Sequence, residues 1–465
     1  MNVHPNHVRR ASRARGSRMT GRHRSFRRAR GAAWIACGAL ALLAGCVTNP
    51  ISGRQQFSLV GKGQLLSLAR EAVPAQFSSD YGVASDRQAN AYVAQVGQRL
   101  VATLKPEDVV FPDMPFTFQV VNAVYVNAYA FPDGTIAITR GMLAELENEA
   151  QLAAVLGHEI AHVNCGHTAA AMSRGLLASA LIAGAQGYLV HRDSEWADLA
   201  GTAGQLGGAV VLAGYSRAQE READQGGMIY MTRAGYDPQG MVGLTELLVR
   251  LSQANPSLLA RMFATHPMSS ERLQAARQQA RASATSGVPR ALNREAFLAQ
   301  TAGIRRHHAA YQHFARAETE LARQRLDAAR TEAEAGLRLA PDDTVGLLLL
   351  AQARQQGGQT AAARELAARV AGATPDVARA HSLLAECALK ERKYTEALVH
   401  LAAFEKRVPG DTRARLYQGL AHDWLGNRRQ AAAAYEAYLR QGAVGEAEGQ
   451  FALRRLQALT RSREL

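Results

Sequence analysis

The chain has 465 residues, 47% apolar and 20% charged, an ordinary globular composition that predicts two or three domains. The net charge is +14, but residues 1–31 hold ten Arg and no acid. Without them 44 basic residues face 40 acidic ones, so the body is only mildly basic and no nucleic-acid partner is expected.

The basic start ends in Arg27-Arg28-Ala29-Arg30 and meets an apolar stretch, Ala32 to Ala44. That stretch is short of the roughly 20 residues that span a bilayer. A charged region, a short apolar region and small residues after it describe a secretory signal over residues 1–45, with translation starting at Met1 or Met19. Leu43-Ala44-Gly45-Cys46 resembles the bacterial lipobox, which implies acylation of Cys46 and anchoring by its acyl chains. In such lipoproteins a non-Asp residue after the cysteine, here Val47, implies the outer membrane. The expected location is the periplasm, lipid-anchored. The alternative is a plain cleavable signal with a chance cysteine. Cys165 and Cys387 remain, in different predicted domains, so no disulfide framework is expected.

Residues 46–61, with Asn49-Pro50-Ile51-Ser52-Gly53-Arg54, read as an extended tether. Apolar spacing predicts helices from about 62 to 104, with Leu65, Leu66, Leu68 and Val73 on their faces. Phe116–Val121 alternates as a strand. Ala128–Phe131 and Thr135–Thr139 flank Pro132-Asp133-Gly134, a hairpin signal. Helix is expected from Leu143 onward.

His158-Glu159-Ile160-Ala161-His162 lies in a segment free of helix breakers. Positions i and i+4 share one helix face, so two imidazoles so spaced can reach one Zn²⁺. Glu159 beside them can act as the base for water. A catalytic zinc needs a third protein ligand. His167, five residues past His162, rotates off the metal-facing stripe and reads as a polar group at the helix end or a support for a ligand. Downstream, Glu220 and Asp224 are again i and i+4: a second helix can present Glu220 to the metal and use Asp224 to orient a ligand imidazole. Alone, these acids would read as a solvated face balancing Arg217 and Arg221. Between the two motifs, Gly175–Val190 and Leu199–Gly214 are apolar but too short to span a membrane, and read as buried or lid helices.

The C-terminal third repeats. Pro341, Pro375 and Pro409 are 34 residues apart, as are Ala329, Ala363, Ala397 and Ala431, and Ala317, Ala351, Ala385 and Gly419. Small residues permit close helix crossings and Pro closes each second helix, so residues 307–465 resemble tetratricopeptide repeats, about four helix pairs stacked into a solenoid with a concave groove. The alternative is a generic Ala-rich bundle. The first unit lacks Gly at its turn.

His-Glu-Ile-Ala-His at 158–162 together with Ser216-Arg217-x-x-Glu220-x-x-Ala223-Asp224 resembles the M48 peptidases. Asn127–Gly134 with Thr139-Arg140-Gly141, and Thr265-His266-Pro267, resemble further motifs of that family. The resemblance covers roughly residues 49–280. It implies a mostly α (α+β) fold: a zincin-like helical metallopeptidase domain with a small β-sheet over 62–300, ahead of the repeats. It implies one zinc ion per chain on His158, His162 and Glu220, with Glu159 as general base then acid and Asp224 behind a ligand. His266 would stabilise the oxyanion or occupy zinc's open position at rest; the alternative is a helix-capping His. The 124–139 hairpin would be the substrate platform, taking a peptide as an added strand.

The expected function is a zinc endopeptidase that removes unfolded or misassembled envelope proteins, with the repeat domain contacting outer-membrane assembly machinery. The alternative is an assembly chaperone or scaffold in which the repeats dominate and proteolysis is secondary. A structural zinc site is disfavoured, because such sites are closed by four ligands rich in Cys and only Cys165 is near.

Overall fold

A computed structural model describes residues 46–177, 214–254, 256–283, 290–441 and 447–461. The predicted signal lies outside them, as do the apolar stretches Gly175–Val190 and Leu199–Gly214 apart from their ends at 175–177 and 214. The chain divides into two units, residues 1–47 and 48–465. Cys46, in the first, is exposed. The second unit holds the helices and the three-stranded sheet.

Two helices open it, α1 (Lys62–Ser79) and α2 (Arg87–Val101). Asp86 caps α2 by accepting from Ala89 N at 3.0 Å. The sheet has three strands, β1 (Thr117–Val121), β2 (Ala128–Ala130) and β3 (Thr135–Thr139), in the order β1-β3-β2. The predicted hairpin is present: β2 and β3 pair antiparallel, Ala128 opposite Ile138, across a turn where Gly134 has φ +90°. The pairing of β1 with β3 is parallel, Val120 opposite Ile138. Alternation reveals a strand but not its partner, so this joining was not legible. Helix α2 lies against the sheet so closely that a Cβ on Gly97 would sit 2.5 Å from the Phe118 ring.

Thr139 ends β3 and caps α3 (Arg140–Glu145), accepting from Met142 N at 3.1 Å. The next helix, α4 (Glu149–Asn164), is buried along all sixteen residues. Asn148 caps it and Glu149 sits in its first turn, where a carboxylate complements the helix dipole. Glu149 accepts from Tyr236 Oη at 2.8 Å, Arg99 Nη2 at 2.8 Å and Asn293 Nδ2 at 3.1 Å, and from Tyr92 Oη. This hub pins the start of the central helix.

Helix α5 (Arg217–Arg233) begins with a capping box: Gln219 N donates to Ser216 Oγ, and Ser216 N donates to Gln219 Oε1. It crosses α4 through small residues. A Cβ on Gly157 would meet Gly227 O at 3.1 Å, and one on Gly226 would meet Ala161 Cβ at 2.7 Å. Helices α6 (Gln239–Ala254), α7 (Pro256–Thr265) and α8 (Ser270–Ser283) follow, and two short helices, Arg294–Gln300 and Ala302–Arg305, lead to the C-terminal region.

The C-terminal region is built from helix pairs: α9 (His308–Ala322) with α10 (Leu326–Leu339), α11 (Thr344–Gln356) with α12 (Thr360–Ala373), α13 (Ala378–Lys390) with α14 (Tyr394–Glu405), and α15 (Thr412–Trp424) with α16 (Arg428–Leu439). Helix α17 (Ala447–Arg461) follows. The 34-residue period is visible in the backbone: Gln324, Gly358, Arg392 and Gly426 all have positive φ, at 59°, 81°, 58° and 74°. The first unit keeps the left-handed turn although Gln replaces Gly there, at a cost of roughly 1 kcal/mol. Ala329, Ala363, Ala397 and Ala431 are buried at the crossings, as are Ala317, Ala351 and Ala385. The region fits the predicted repeats. Arg140 joins the two halves, donating Nη1 to Asp343 Oδ2 at 2.8 Å and Nη2 to Oδ1 at 2.9 Å.

Candidate metal centre

The close crossing of α4 and α5 sets Glu220 opposite the imidazole pair of α4. His158 Nε2 and His162 Nε2 are 3.0 Å apart. Glu220 Oε1 lies 3.4 Å from His162 Nε2, and its Oε2 lies 3.6 Å from His158 Nε2. His266, just past the end of α7, brings Nδ1 to 3.0 Å from Glu220 Oε1 and 3.4 Å from His158 Nε2. One potential ligand atom from each of these four residues lies within 4.8 Å of the others, and all four residues are buried.

Tetrahedral zinc with bonds near 2.1 Å holds its ligand atoms about 3.4 Å apart, so the arrangement fits that ion. The donor chemistry fits as well: three imidazole nitrogens and one carboxylate converge. Glu159 Oε2 is buried without a hydrogen-bond partner. Burial would push the Glu220 carboxyl up, but hydrogen bonds from His162 and His266 and the neighbouring positive charges hold it well below the carboxylate range. Burial keeps His162 well below the usual imidazole range, hence neutral with a lone pair to give. Burial also raises Glu159, which suits a proton acceptor working near neutral pH.

Behind the ligands, His158 Nδ1 lies 3.0 Å from Asp224 Oδ1. Arg272 of α8 donates Nε to Asp224 Oδ2 and Nη2 to Oδ1, both at 2.7 Å, and its Nη1 is 2.7 Å from Glu220 Oε2. His167 does not join the ligand set. Its Nδ1 lies 2.8 Å from His162 Nδ1, on the far side of that ring.

The predicted residues His158, His162, Glu159, Glu220, Asp224 and His266 thus come together. Sequence reasoning missed Arg272, which no local pattern marks, and Tyr215. The Tyr215 ring stacks on His162 with centroids 3.7 Å apart, and its N–H donates to Thr265 O at 2.8 Å. Its place directly before the Ser216 cap was the only available signal. Tyr215 and His266 border a cavity of about 300 Å³ lined also by Tyr125, Asn127, Tyr129 and Phe131 of the hairpin segment.

A central helix bearing two histidines, crossed by a helix bearing glutamate beside a small mixed sheet, defines the class of the N-terminal half. Residues 81–280 match the pattern described as Peptidase family M48, and the chain carries a peptidase M48 domain. M48 metallopeptidases use zinc, in keeping with the ligand set here.

Among individual relatives, the chain is 35% identical over 192 residues to the "Beta-barrel assembly-enhancing protease" of Yersinia pestis, covering 41% of this chain and 38% of that one. It is 31% identical over 239 residues to the protein of the same name from Escherichia coli (strain K12), covering 50% and 47%. It is 29% identical over 191 residues to "Metalloprotease YcaL" of Escherichia coli (strain K12), covering 41% and 72%. The chain spans less than half the length of the first two relatives. No described helix is long and apolar enough to cross a membrane.

Proposed function

We propose that this chain is a zinc-dependent endopeptidase of the bacterial envelope that hydrolyses misfolded or misassembled envelope proteins. The observation that carries this reading is the four-cornered set of His158, His162, Glu220 and His266, with the unpaired Glu159 carboxylate oxygen beside it. Zinc held there supplies Lewis acidity to the scissile carbonyl and activates water. Glu159 takes the proton from the attacking water and returns it to the leaving amine. Asp224 and Arg272 fix the His158 ring; Tyr215 fixes the His162 ring. Strand β2 is an edge strand, so a substrate peptide can add beside it with main-chain hydrogen bonds. The aromatic-lined cavity next to His266 then receives one side chain of that peptide.

His266 occupies the corner that a catalytic zinc keeps for water and substrate. In this reading it is displaced when substrate binds. Cys46 carries the lipid anchor, residues 62–300 form the peptidase domain, and residues 307–465 form a repeat domain that presents substrates or meets outer-membrane assembly machinery. The relatives named for β-barrel assembly support that last assignment.

The test is Glu159→Gln in the purified mature protein. Zinc should stay near one per chain while casein cleavage falls by at least about 10²-fold. Cleavage at the wild-type rate would remove the mechanism.

A further inference from the structure

The segment read as an extended tether is docked over residues 49–59. Asn49 is 2% exposed. Its Oδ1 accepts from Ile51 N and Ser52 N, both at 3.0 Å, and its main chain closes the turn with Gly53 N to Asn49 O at 2.9 Å and Asn49 N to Arg54 O at 2.8 Å. Gly53 has φ +67°, which the turn requires. Ile51 packs at Gly226, where a Cβ would approach its Cδ1 to 3.4 Å. Gln56 Nε2 donates to Cys165 O, and Leu59 N donates to Ser173 Oγ at 2.8 Å. Residues 49–59 are therefore fastened to α5 at Gly226, to the end of α4 at Cys165, and to Ser173 beyond it.

One contact runs inward. Asn49 Nδ2 donates to Glu222 Oε2 at 3.1 Å. The same oxygen lies 3.1 Å from His167 Nε2, and His167 Nδ1 lies 2.8 Å from His162 Nδ1. The protons on this chain have one consistent direction. With Nε2 of His162 turned to the ligand set, its ring proton sits on Nδ1 and donates to His167 Nδ1. The His167 proton then sits on Nε2 and donates to Glu222. Asn49 satisfies the same carboxylate from the other side. His158 has the parallel arrangement in which Asp224 is held by Arg272. A histidine that ligates zinc takes its tautomer and ring angle from the group behind it.

We propose that Asn49 acts through Glu222 and His167 as a positioning residue for His162, so that the arm three residues beyond Cys46 forms part of the support of the metal site. This rests on the metal-centre reading above. It gives the N-terminal arm a task besides attachment: displacing it loosens zinc.

The test measures zinc affinity of the full mature protein by competition with a chromogenic chelator, with the absorption spectrum of the Co²⁺-substituted protein as a second readout. Asn49→Asp keeps the turn acceptor and replaces the donor with a carboxylate facing Glu222. It should weaken zinc binding about 10-fold, and His167→Ala about 10- to 100-fold. Each should shift the Co²⁺ bands, with the melting temperature of the zinc-free protein close to wild type. Glu222→Gln, which still accepts from His167, should retain more affinity than Glu222→Ala. If Asn49→Asp does not fold, Glu222→Ala, which leaves the turn intact, decides the matter. Wild-type affinity in Asn49→Asp and Glu222→Ala overturns the inference while leaving the metal centre standing. A wild-type protein that holds no zinc overturns both.

Discussion

Arg272 grips Asp224 with two parallel hydrogen bonds, Nε to Oδ2 and Nη2 to Oδ1, each 2.7 Å long. Asp224 Oδ1 also faces His158 Nδ1 at 3.0 Å. Arg272 is buried and reaches Glu220 as well, so one side chain of α8 organises two groups of α5. Lysine cannot reproduce this fork. Arg272→Lys should lower zinc affinity about 10-fold in chelator competition. Arg272→Ala, which strands buried carboxylates, should lower stability by about 3–5 kcal/mol in denaturant titration. Unchanged affinity in both would show that Asp224 needs no anchor.

The crossing of α4 and α5 leaves no room for a methyl group. At Gly227 a Cβ would lie 2.8 Å from His158 N and 3.1 Å from Gly157 C. Gly227→Ala should cost about 1–3 kcal/mol of stability. Because the shift carries Glu220 away from the imidazoles, zinc affinity should fall along with it. A loss of stability with zinc affinity intact would separate the crossing from the site.

His266 sits at the fourth corner of the ligand set. In His266→Ala the ligands His158, His162 and Glu220 remain, so zinc should stay near one per chain. Hydrolysis of a short fluorogenic peptide should rise several-fold, as a three-ligand zinc keeps its open position. A drop of about 10²-fold or more would instead assign His266 to oxyanion stabilisation.

Burial alone would raise the Asp343 carboxyl, but the adjacent Arg140 charge and hydrogen bonds, with those from Gly346 N and Val345 N, hold it below the usual aspartate range. Its folded pKa thus lies below the unfolded value of about 3.9. The stabilisation is complete above that unfolded value and is lost as pH falls through the lower folded one. Asp343→Asn keeps the helix cap and removes the charge. It should cost about 3 kcal/mol at pH 7 and progressively less below pH 4, read from melting temperatures across pH. An equal difference at pH 7 and pH 3 would show that the ion pair contributes nothing.

The sequence by itself marked the candidate metal ligands and the repeat-like period, because both are periodic. His158 and His162, Glu220 and Asp224, and the small residues every 34 positions are set by helix geometry within one segment. It also marked His266, through the His-Pro pattern of a family. Only the tertiary structure decided what stands behind those ligands. Arg272, Tyr215 and Asn49 act across contacts 48, 53 and 173 residues long, Arg272 to Asp224, Tyr215 to His162 and Asn49 to Glu222. The parallel partner of β1 was decided there too. No local spacing encodes such contacts: they exist because α4 and α5 cross at glycines, and that close approach fixes which distant side chains meet.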